Sequence, residues 1–342
     1  MNIENNSYKK ESKNIFALYY SKNNINKAQN FQISAISFDP EEVSFKIKKI
    51  ENKNFNKYFY ESINKANNTN KNIYLMKNED YYIVTGGNSN KFYKYKFTNN
   101  RLEQKCDLTY NHSNGGMICY EGQIICLGGN FTKKVEVFSE NNNIWIDLPE
   151  MNVERSYFSS CIIKERYLFI FFGYNYQNMK YLDSIEYFDI LEYDLNIINN
   201  NSKKSEHICW KYLKYNFFNS NPTNTKINLI GAVAINYLNE KIIFLGGNNC
   251  SKKENECEYY QFIFDEDDLN RSEINSYFER IISKNVNSSG KKFLFCYDYK
   301  YIEELDRNNN MKEHTLAAFD KNYNAHLIKL STMNHEIFHF NK

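Results

Sequence analysis

The chain has 342 residues, 43 of them basic and 41 acidic, so its formal net charge is +2, and no long run of either sign occurs. That balance argues against a general electrostatic grip on nucleic acid or on an anionic membrane. Tyr (29) and Phe (26) are abundant and Pro is scarce (3); together with many Asn residues they predict short strands joined by Asn-rich turns, although an AT-rich coding sequence enriches the same residues whatever the fold.

The opening MNIENNSYKKESKN lacks the basic start and apolar core of a signal peptide, and no apolar run of membrane-spanning length follows. A soluble, cytoplasmic protein is expected, with residues 1–13 as a polar tail and 14–342 as one domain. Of the eight cysteines, Cys119, Cys126, Cys161 and Cys296 fall inside apolar strand patterns, where a free thiol behaves as a small hydrophobe.

Strand-like segments at 14–20, 31–38 and 43–50 make a first, degenerate unit without a diglycine. Segments 72–77, 81–87, 92–97 and 102–108 make a clearer one, whose second strand ends at Gly86-Gly87. The third unit is the most regular. Its segments 117–120 and 123–127 flank Glu121-Gly122, a two-residue turn that lets antiparallel neighbours meet. Ile124-Ile125-Cys126-Leu127 is apolar without alternation, which predicts an inner strand buried on both faces. Gly128-Gly129 ends it, Val135 to Phe138 forms the third strand, and Ile144-Trp145-Ile146-Asp147-Leu148 alternates as a fourth before Pro149 closes it.

A fourth unit covers 157–163, 167–173, 184–189 and 209–213, with Phe172-Gly173 in place of the diglycine and Trp210 where Trp145 stood. A fifth covers 227–237, 241–247 and 258–264, has its Gly246-Gly247, and continues to an outer strand near 274–281. The last runs through 292–299, 315–320, 325–330 and 336–340. Gly86, Gly128 and Gly173 recur at intervals of 42 and 45 residues, and the longer interval to Gly246 is absorbed by polar loops at 195–206 and 215–226. Four strands per period of that length indicate small sheets burying both faces against their neighbours.

The hydrophobic run 124–127 into Gly128-Gly129, the aromatic Phe138, Trp145 and the Leu148-Pro149-Glu150-Met151 to Arg155 linker resemble the kelch repeat. Residues 184–189 with Trp210, and 241–247, match the same pattern, and the resemblance covers about 75–265. It implies an all-β fold, a six-bladed kelch-type β-propeller of four-stranded antiparallel blades. Because the first and last units lack Gly-Gly and Trp, five or seven blades stay open. In this reading Gly86, Gly87, Gly128, Gly129, Gly173, Gly246, Gly247, Trp145 and Trp210 hold the blades together.

No catalytic or cofactor signature stands out. Cys250 and Cys257 are a lone pair without a four-ligand zinc spacing, and His314, His326, His335 and His339 fall in or beside short strands. The glycine pairs lead from strand to strand rather than into a helix, so they are not phosphate cradles. A copper oxidase also exists on a kelch-like propeller, but its chemistry needs His and Tyr ligands converging on one mouth, and no His lies in the blade-linking loops of the best-matched region. The resemblance implies instead a non-catalytic protein-binding module, either a substrate receptor for a ubiquitin ligase or a scaffold. Receptors usually carry a recruiting domain beside the propeller, and strand units fill 14–340, which favours a stand-alone, monomeric scaffold or adaptor.

In a meander the loops after the second strand emerge at the same end as the linkers between units. Binding residues usually sit on such loops, and aromatic and Arg side chains are favoured anchors. The partner-binding candidates are Tyr174, Tyr176, Arg155, Asn130, Lys133 and Asn248. Arg155 has a second reading, as a structural residue at the joint between units. No metal or cofactor is expected, and the partner is a protein.

Overall fold

The computed structural model describes residues 15–22, 31–39, 44–51, 72–75, 80–84, 90–193, 209–218, 229–237, 241–245, 248–249, 259–269, 276–281, 315–319, 325–329 and 334–338. Among them the regular elements are β-strands, apart from a 3-10 turn at Glu266–Leu269. β1 (Ile15–Lys22), β2 (Phe31–Asp39) and β3 (Ser44–Lys49) form an antiparallel three-stranded meander. β4 (Asn72–Leu75), β5 (Asp80–Val84), β6 (Phe92–Lys96) and β7 (Arg101–Gln104) form a four-stranded one. So do β8 (Gly116–Tyr120), β9 (Gln123–Leu127), β10 (Val135–Ser139) and β11 (Ile144–Leu148).

The next sheet is β12 (Ser159–Ile163), β13 (Tyr167–Phe171), β16 (Ile185–Asp189) and β17 (Lys211–Leu213), with a small hairpin of β14 (Tyr174–Asn175) and β15 (Lys180–Tyr181) between its second and third strands. β18 (Asn216–Phe218) follows. β19 (Leu229–Ile230) pairs with β22 (Asn248–Asn249), flanking β20 (Val233–Tyr237) and β21 (Lys241–Leu245) in the chain. β20 and β21 continue into β23 (Tyr259–Ile263) and β24 (Tyr277–Ile281) as an antiparallel sheet, to whose outer edge β18 adds in parallel. Finally β25 (Thr315–Phe319), β26 (Ala325–Lys329) and β27 (Asn334–Phe338) make a second three-stranded meander. The chain divides into two compact units, one of Met1–Asn52 with Glu313–Lys342 and the other of Lys53–Lys312.

Strands of the regular unit lie where their residue pattern puts them, and one turn explains the hairpin. Glu121 (φ 46°) and Gly122 (φ 83°) are both left-handed, the geometry whose twist matches the flanking strands, so Tyr120 pairs with Gln123 and Met117 with Cys126. Two segments read as loops contain strands. Residues 216–218 of the 215–226 loop form β18, and residues 174–181, between the second and third strands of the fourth unit, fold on themselves as β14 and β15. Neither has a local pattern of its own, because each is defined by its pairing partner.

The middle strands β9, β10, β13 and β16 are buried on both faces, and alternate residues of β9 and β13 serve different cores. Ile124 and Cys126 of β9 pack with Phe92, Leu108 and Phe138. Ile125 and Leu127 pack instead with Val135, Val137, Leu168, Ile170 and Trp210. In β13, Leu168 and Ile170 point into that second core, while Tyr167, Phe169 and Phe171 join Ile242, Phe244, Phe262 and Phe278 in a third. Each core is thus shared by two consecutive sheets. The third is built largely of aromatic rings, with Phe171 edge-on to Phe244 at 4.9 Å and to Phe262 at 5.4 Å. The first strands of consecutive sheets, β4, β8, β12 and β20, run beside one another.

A backbone ladder fixes how each linker enters its sheet. Tyr157 N donates to Asn114 O and Gly231 N to Tyr157 O, at 2.9 and 2.8 Å. Asn114, Tyr157 and Gly231 stand at the same place in three successive linkers, and all are left-handed, at φ 59°, 55° and 69°. Only the last is a glycine; Asn is a type that visits this region, whereas Tyr157 holds it at a cost of about 1–2 kcal/mol. Among the described residues no helix is long and apolar enough to cross a membrane.

Candidate binding face

The loops after β9 and β13 and the linkers ahead of β8 and β12 meet at one end of their sheets, and backbone hydrogen bonds join them. Gly129 N donates to Arg155 O and Gly173 N to Leu229 O, at 2.9 and 3.2 Å, so each second-strand turn grips the linker of the following sheet. A side chain has no place here. A Cβ on Gly129 (φ +130°) would meet Ser113 O at 2.8 Å, and one on Gly173 (φ +96°) would meet Ser156 O at 2.6 Å. The preceding position is more permissive, since Phe172 (φ 58°) occupies it with its ring fully buried against Phe278 at 5.2 Å. Gly128 stands at the same place, where a Cβ would meet Met151 Cε at 2.5 Å. Gly86, Gly87, Gly246 and Gly247 lie outside the described residues.

Three of the candidate residues turn out to be one position repeated. Asn130 N donates to Ser113 O at 2.7 Å, Tyr174 N to Ser156 O at 2.8 Å, and Asn248 pairs with Ile230. Each follows a glycine in the sequence and is itself tied to its own sheet's linker. What differs is the side chain presented at that point.

Arg155 is corrected to its structural reading. Its side chain has no exposure, Nη1 donates to Phe172 O at 2.8 Å and to Ser184 O at 3.1 Å, and Nη2 donates to Glu186 Oε1 at 2.5 Å. Burial pulls the guanidinium below its ordinary value and Glu186 pulls it back. The same carboxylate accepts from Asn152 N at 2.7 Å and Val153 N at 3.3 Å, so one buried ion pair secures the whole linker. A group sealed in this way is unavailable to a partner. The sheet before it repeats the arrangement. Buried Glu136 of β10 accepts from Thr109 N and Tyr110 N, and His112 stands at the Arg155 position, 3.1 Å from Glu136 Oε1 and 2.6 Å from Gly128 O. Sequence reasoning missed both carboxylates, although a single charge inside Val-Glu-Val-Phe and Ile-Glu-Tyr-Phe signals a buried partner.

Both tryptophans also belong to the joints. Trp145 Nε1 donates to Cys106 O at 3.3 Å and Trp210 Nε1 to Pro149 O at 2.9 Å, each reaching the linker that leads into its own sheet. Trp145 lies 4.9 Å from Phe92, and Trp210 stacks on Phe188 at 5.2 Å.

An aromatic surface remains at the rim. Tyr176 contacts Phe131 at 5.5 Å, Tyr174 edge-on at 4.9 Å and Tyr157 at 6.2 Å, and Tyr174 meets Tyr181 at 5.1 Å. Phe131 is 70% exposed, Met179 81% and Tyr181 39%, whereas Tyr174 and Tyr176 are half-buried. The cluster draws on loops of two successive sheets, and a polar chain underlies it. Asn114 Nδ2 donates to Tyr157 Oη at 2.7 Å and to Asn130 Oδ1 at 3.1 Å, and Tyr157 Oη lies 3.1 Å from Tyr176 Oη. Phe131, Met179 and Tyr181 were not among the sequence candidates; Phe131 adjoins Asn130, and its large apolar side chain in a polar loop was the available signal. Lys133 pairs with Glu150 at 3.2 Å, beside a second contact from Lys134 to the same carboxylate. The two ammonium groups, Lys134 foremost, hold Glu150 below the usual carboxylate range.

No family model matches the chain, and no curated protein matches it. Among solved structures it is similar to one titled "Structure of YjhT", at 10% sequence identity and a TM-score of 0.49, over 76% of this chain and 71% of that one.

Proposed function

We propose that the four-stranded sheets are blades of a kelch-type β-propeller and that the chain is a non-catalytic protein-binding module, a scaffold or adaptor that takes its partner on the rim of aromatic loops. The blade reading is supported by first strands that run side by side, cores shared by consecutive sheets, and glycine turns and tryptophans recurring at matched places. The observation that carries the binding reading is the cluster of Phe131, Tyr176, Tyr174 and Tyr181, held by rigid loops of two sheets and exposed most at Phe131 (70%) and Tyr181 (39%). Aromatic rings on ordered loops supply large contact area at small entropic cost. Affinity capture tests it: the wild-type chain retains a partner that a Phe131→Ser, Tyr174→Ala variant loses, while both unfold at the same temperature. Identical capture by the two proteins overturns the reading. Cullin-type ligase subunits among the main partners would make the chain a substrate receptor.

A further inference from the structure

We propose that the aromatic rim takes an arginine side chain of its protein partner, with the guanidinium lying on a tyrosine face and donating to Glu154. This rests on the binding reading above and names what that surface recognises. The rings form a row across two loops, Phe131, Tyr176, Tyr174 and Tyr181, with successive centroids 5.5, 4.9 and 5.1 Å apart and interplanar angles of 46°, 86° and 60°. Each ring is turned against the next, so the row offers ring faces as well as edges. A ring face carries the negative side of the quadrupole and attracts a cation.

The backbone brings a carboxylate to the same row. Ser156 bridges Tyr174 in antiparallel register, and residues opposite one another in such a pair share a face. One step on, Arg155 and Asn175 are both buried. The next pair in that register is Glu154 with Tyr176, on the side that Ser156 and Tyr174 take. Glu154 Oε1 accepts from Gln177 N at 2.7 Å, which holds the carboxylate beside Tyr176. A carboxylate offers about four lone-pair sites. This one is half-buried, and among the described residues no cation pairs with it.

The same chain shows what completes such a pair. The Arg166 guanidinium lies over the Tyr167 ring at 4.8 Å, and its Nε and Nη2 fork onto Asp189 at 2.9 and 2.6 Å. There ring, carboxylate and arginine come together; at the rim, ring and carboxylate stand ready and the arginine is the partner's to supply. Neighbouring lysines do not take that place. Lys133 and Lys134 pair with Glu150. Lys180 stands opposite Asn175, on the hairpin face away from Tyr174 and Tyr181. Arginine fits better than lysine, because a planar, weakly hydrated guanidinium lies flat on a ring and still presents two N–H groups to one carboxylate.

NMR titration of the full chain tests this with capped Gly-Ser-Arg-Ser-Gly and with the same peptide carrying citrulline, the neutral isostere, in place of arginine. The arginine peptide should shift the Gln177 amide and the rings of Tyr174 and Tyr176, and the citrulline peptide should bind about tenfold more weakly. Glu154→Gln keeps an acceptor for Gln177 N and should bind the two peptides alike. Equal binding of both peptides to the wild type overturns the proposal, as do arginine-induced shifts that leave Gln177 and the rim rings unmoved. Tighter binding of a capped oligoproline than of the arginine peptide would make the rim an uncharged polyproline groove and overturn it too. Partner capture separates this inference from the reading beneath it. A partner lost by the double variant Phe131→Ser, Tyr174→Ala but kept by Glu154→Gln overturns the arginine and leaves the binding reading standing; one kept by both overturns both, and one lost by both supports both.

Discussion

The joints ahead of β12 and β20 occupy the same place in successive sheets and are made of opposite chemistry. Arg155 and Glu186 form a buried ion pair, while Leu229 and Tyr260 fill the equivalent space with apolar surface, each 2% exposed. The backbone is the same in both, since Gly129 N finds Arg155 O just as Gly173 N finds Leu229 O. The difference teaches that hydrogen bonds of the ladder set the joint and that the side chains fill it. The ionic version does one thing more: Glu186 supplies acceptors for Asn152 N and Val153 N.

The sharpest way to break this comparison is Glu186→Leu. It strands a buried guanidinium and leaves two linker amides without their acceptor, and removing one partner of a buried pair typically costs ~3–5 kcal/mol. Denaturant unfolding should show a loss of at least that size. Arg155→Leu with Glu186→Tyr copies the apolar joint, and should recover part of the loss but not the share owed to Asn152 N and Val153 N, ~1–3 kcal/mol each. Full recovery would mean that the carboxylate contributes nothing to the linker.

The tryptophans extend the contrast. Trp210 is 2% exposed and stacked on Phe188, whereas Trp145 is half-buried between Phe92 and Phe138. Trp210→Ala should cost ~3–5 kcal/mol, and Trp145→Ala measurably less by the same unfolding assay. Equal losses would show that the shared bond to a linker carbonyl, rather than burial, governs both.

How much of this was legible follows from which interactions are local. The hairpin at Glu121-Gly122 was readable because its partners adjoin in sequence, and β9 and β13 were readable because unbroken apolar runs mean burial on both faces. Phe172 in place of a glycine was visible, but its tolerance depends on a pocket formed by Phe244 and Phe278 of another sheet. The carboxylates Glu136 and Glu186 were missed, because their partners lie 24 and 31 residues away and are set by the register of the linkers. β18 had no local signal, because its strand exists through pairing with β24. Of the candidate rim, Tyr174 and Tyr176 were found as loop aromatics, whereas Arg155, chosen for its residue type, is sealed in the joint.

A glycine test separates the two positions of the turn. Gly173→Ala places a Cβ 2.6 Å from Ser156 O at a φ of +96°, a backbone clash in a region that costs ~1–3 kcal/mol by itself. Phe172→Gly leaves the backbone permitted but empties a buried site, so its loss should scale with lost packing. The two variants should therefore differ in kind, with Gly173→Ala shifting the amide of Ser156 and Phe172→Gly leaving it in place.

The smallest effect on stability should come from the residue with the largest expected effect on binding. Phe131 is 70% exposed, touches Tyr176 at 5.5 Å, and sits in a left-handed turn at φ 58°. Phe131→Ser removes a ring that shields little of the core, and surface changes of this kind usually stay within about 0.5 kcal/mol. Phe131→Gly relieves the strained φ as well and should equal or exceed the wild type in thermal stability. A rim residue of this kind loses partner capture in both variants at unchanged stability. A large drop in unfolding temperature for Phe131→Ser would instead assign the ring to the core, and would remove the boundary between joint and rim.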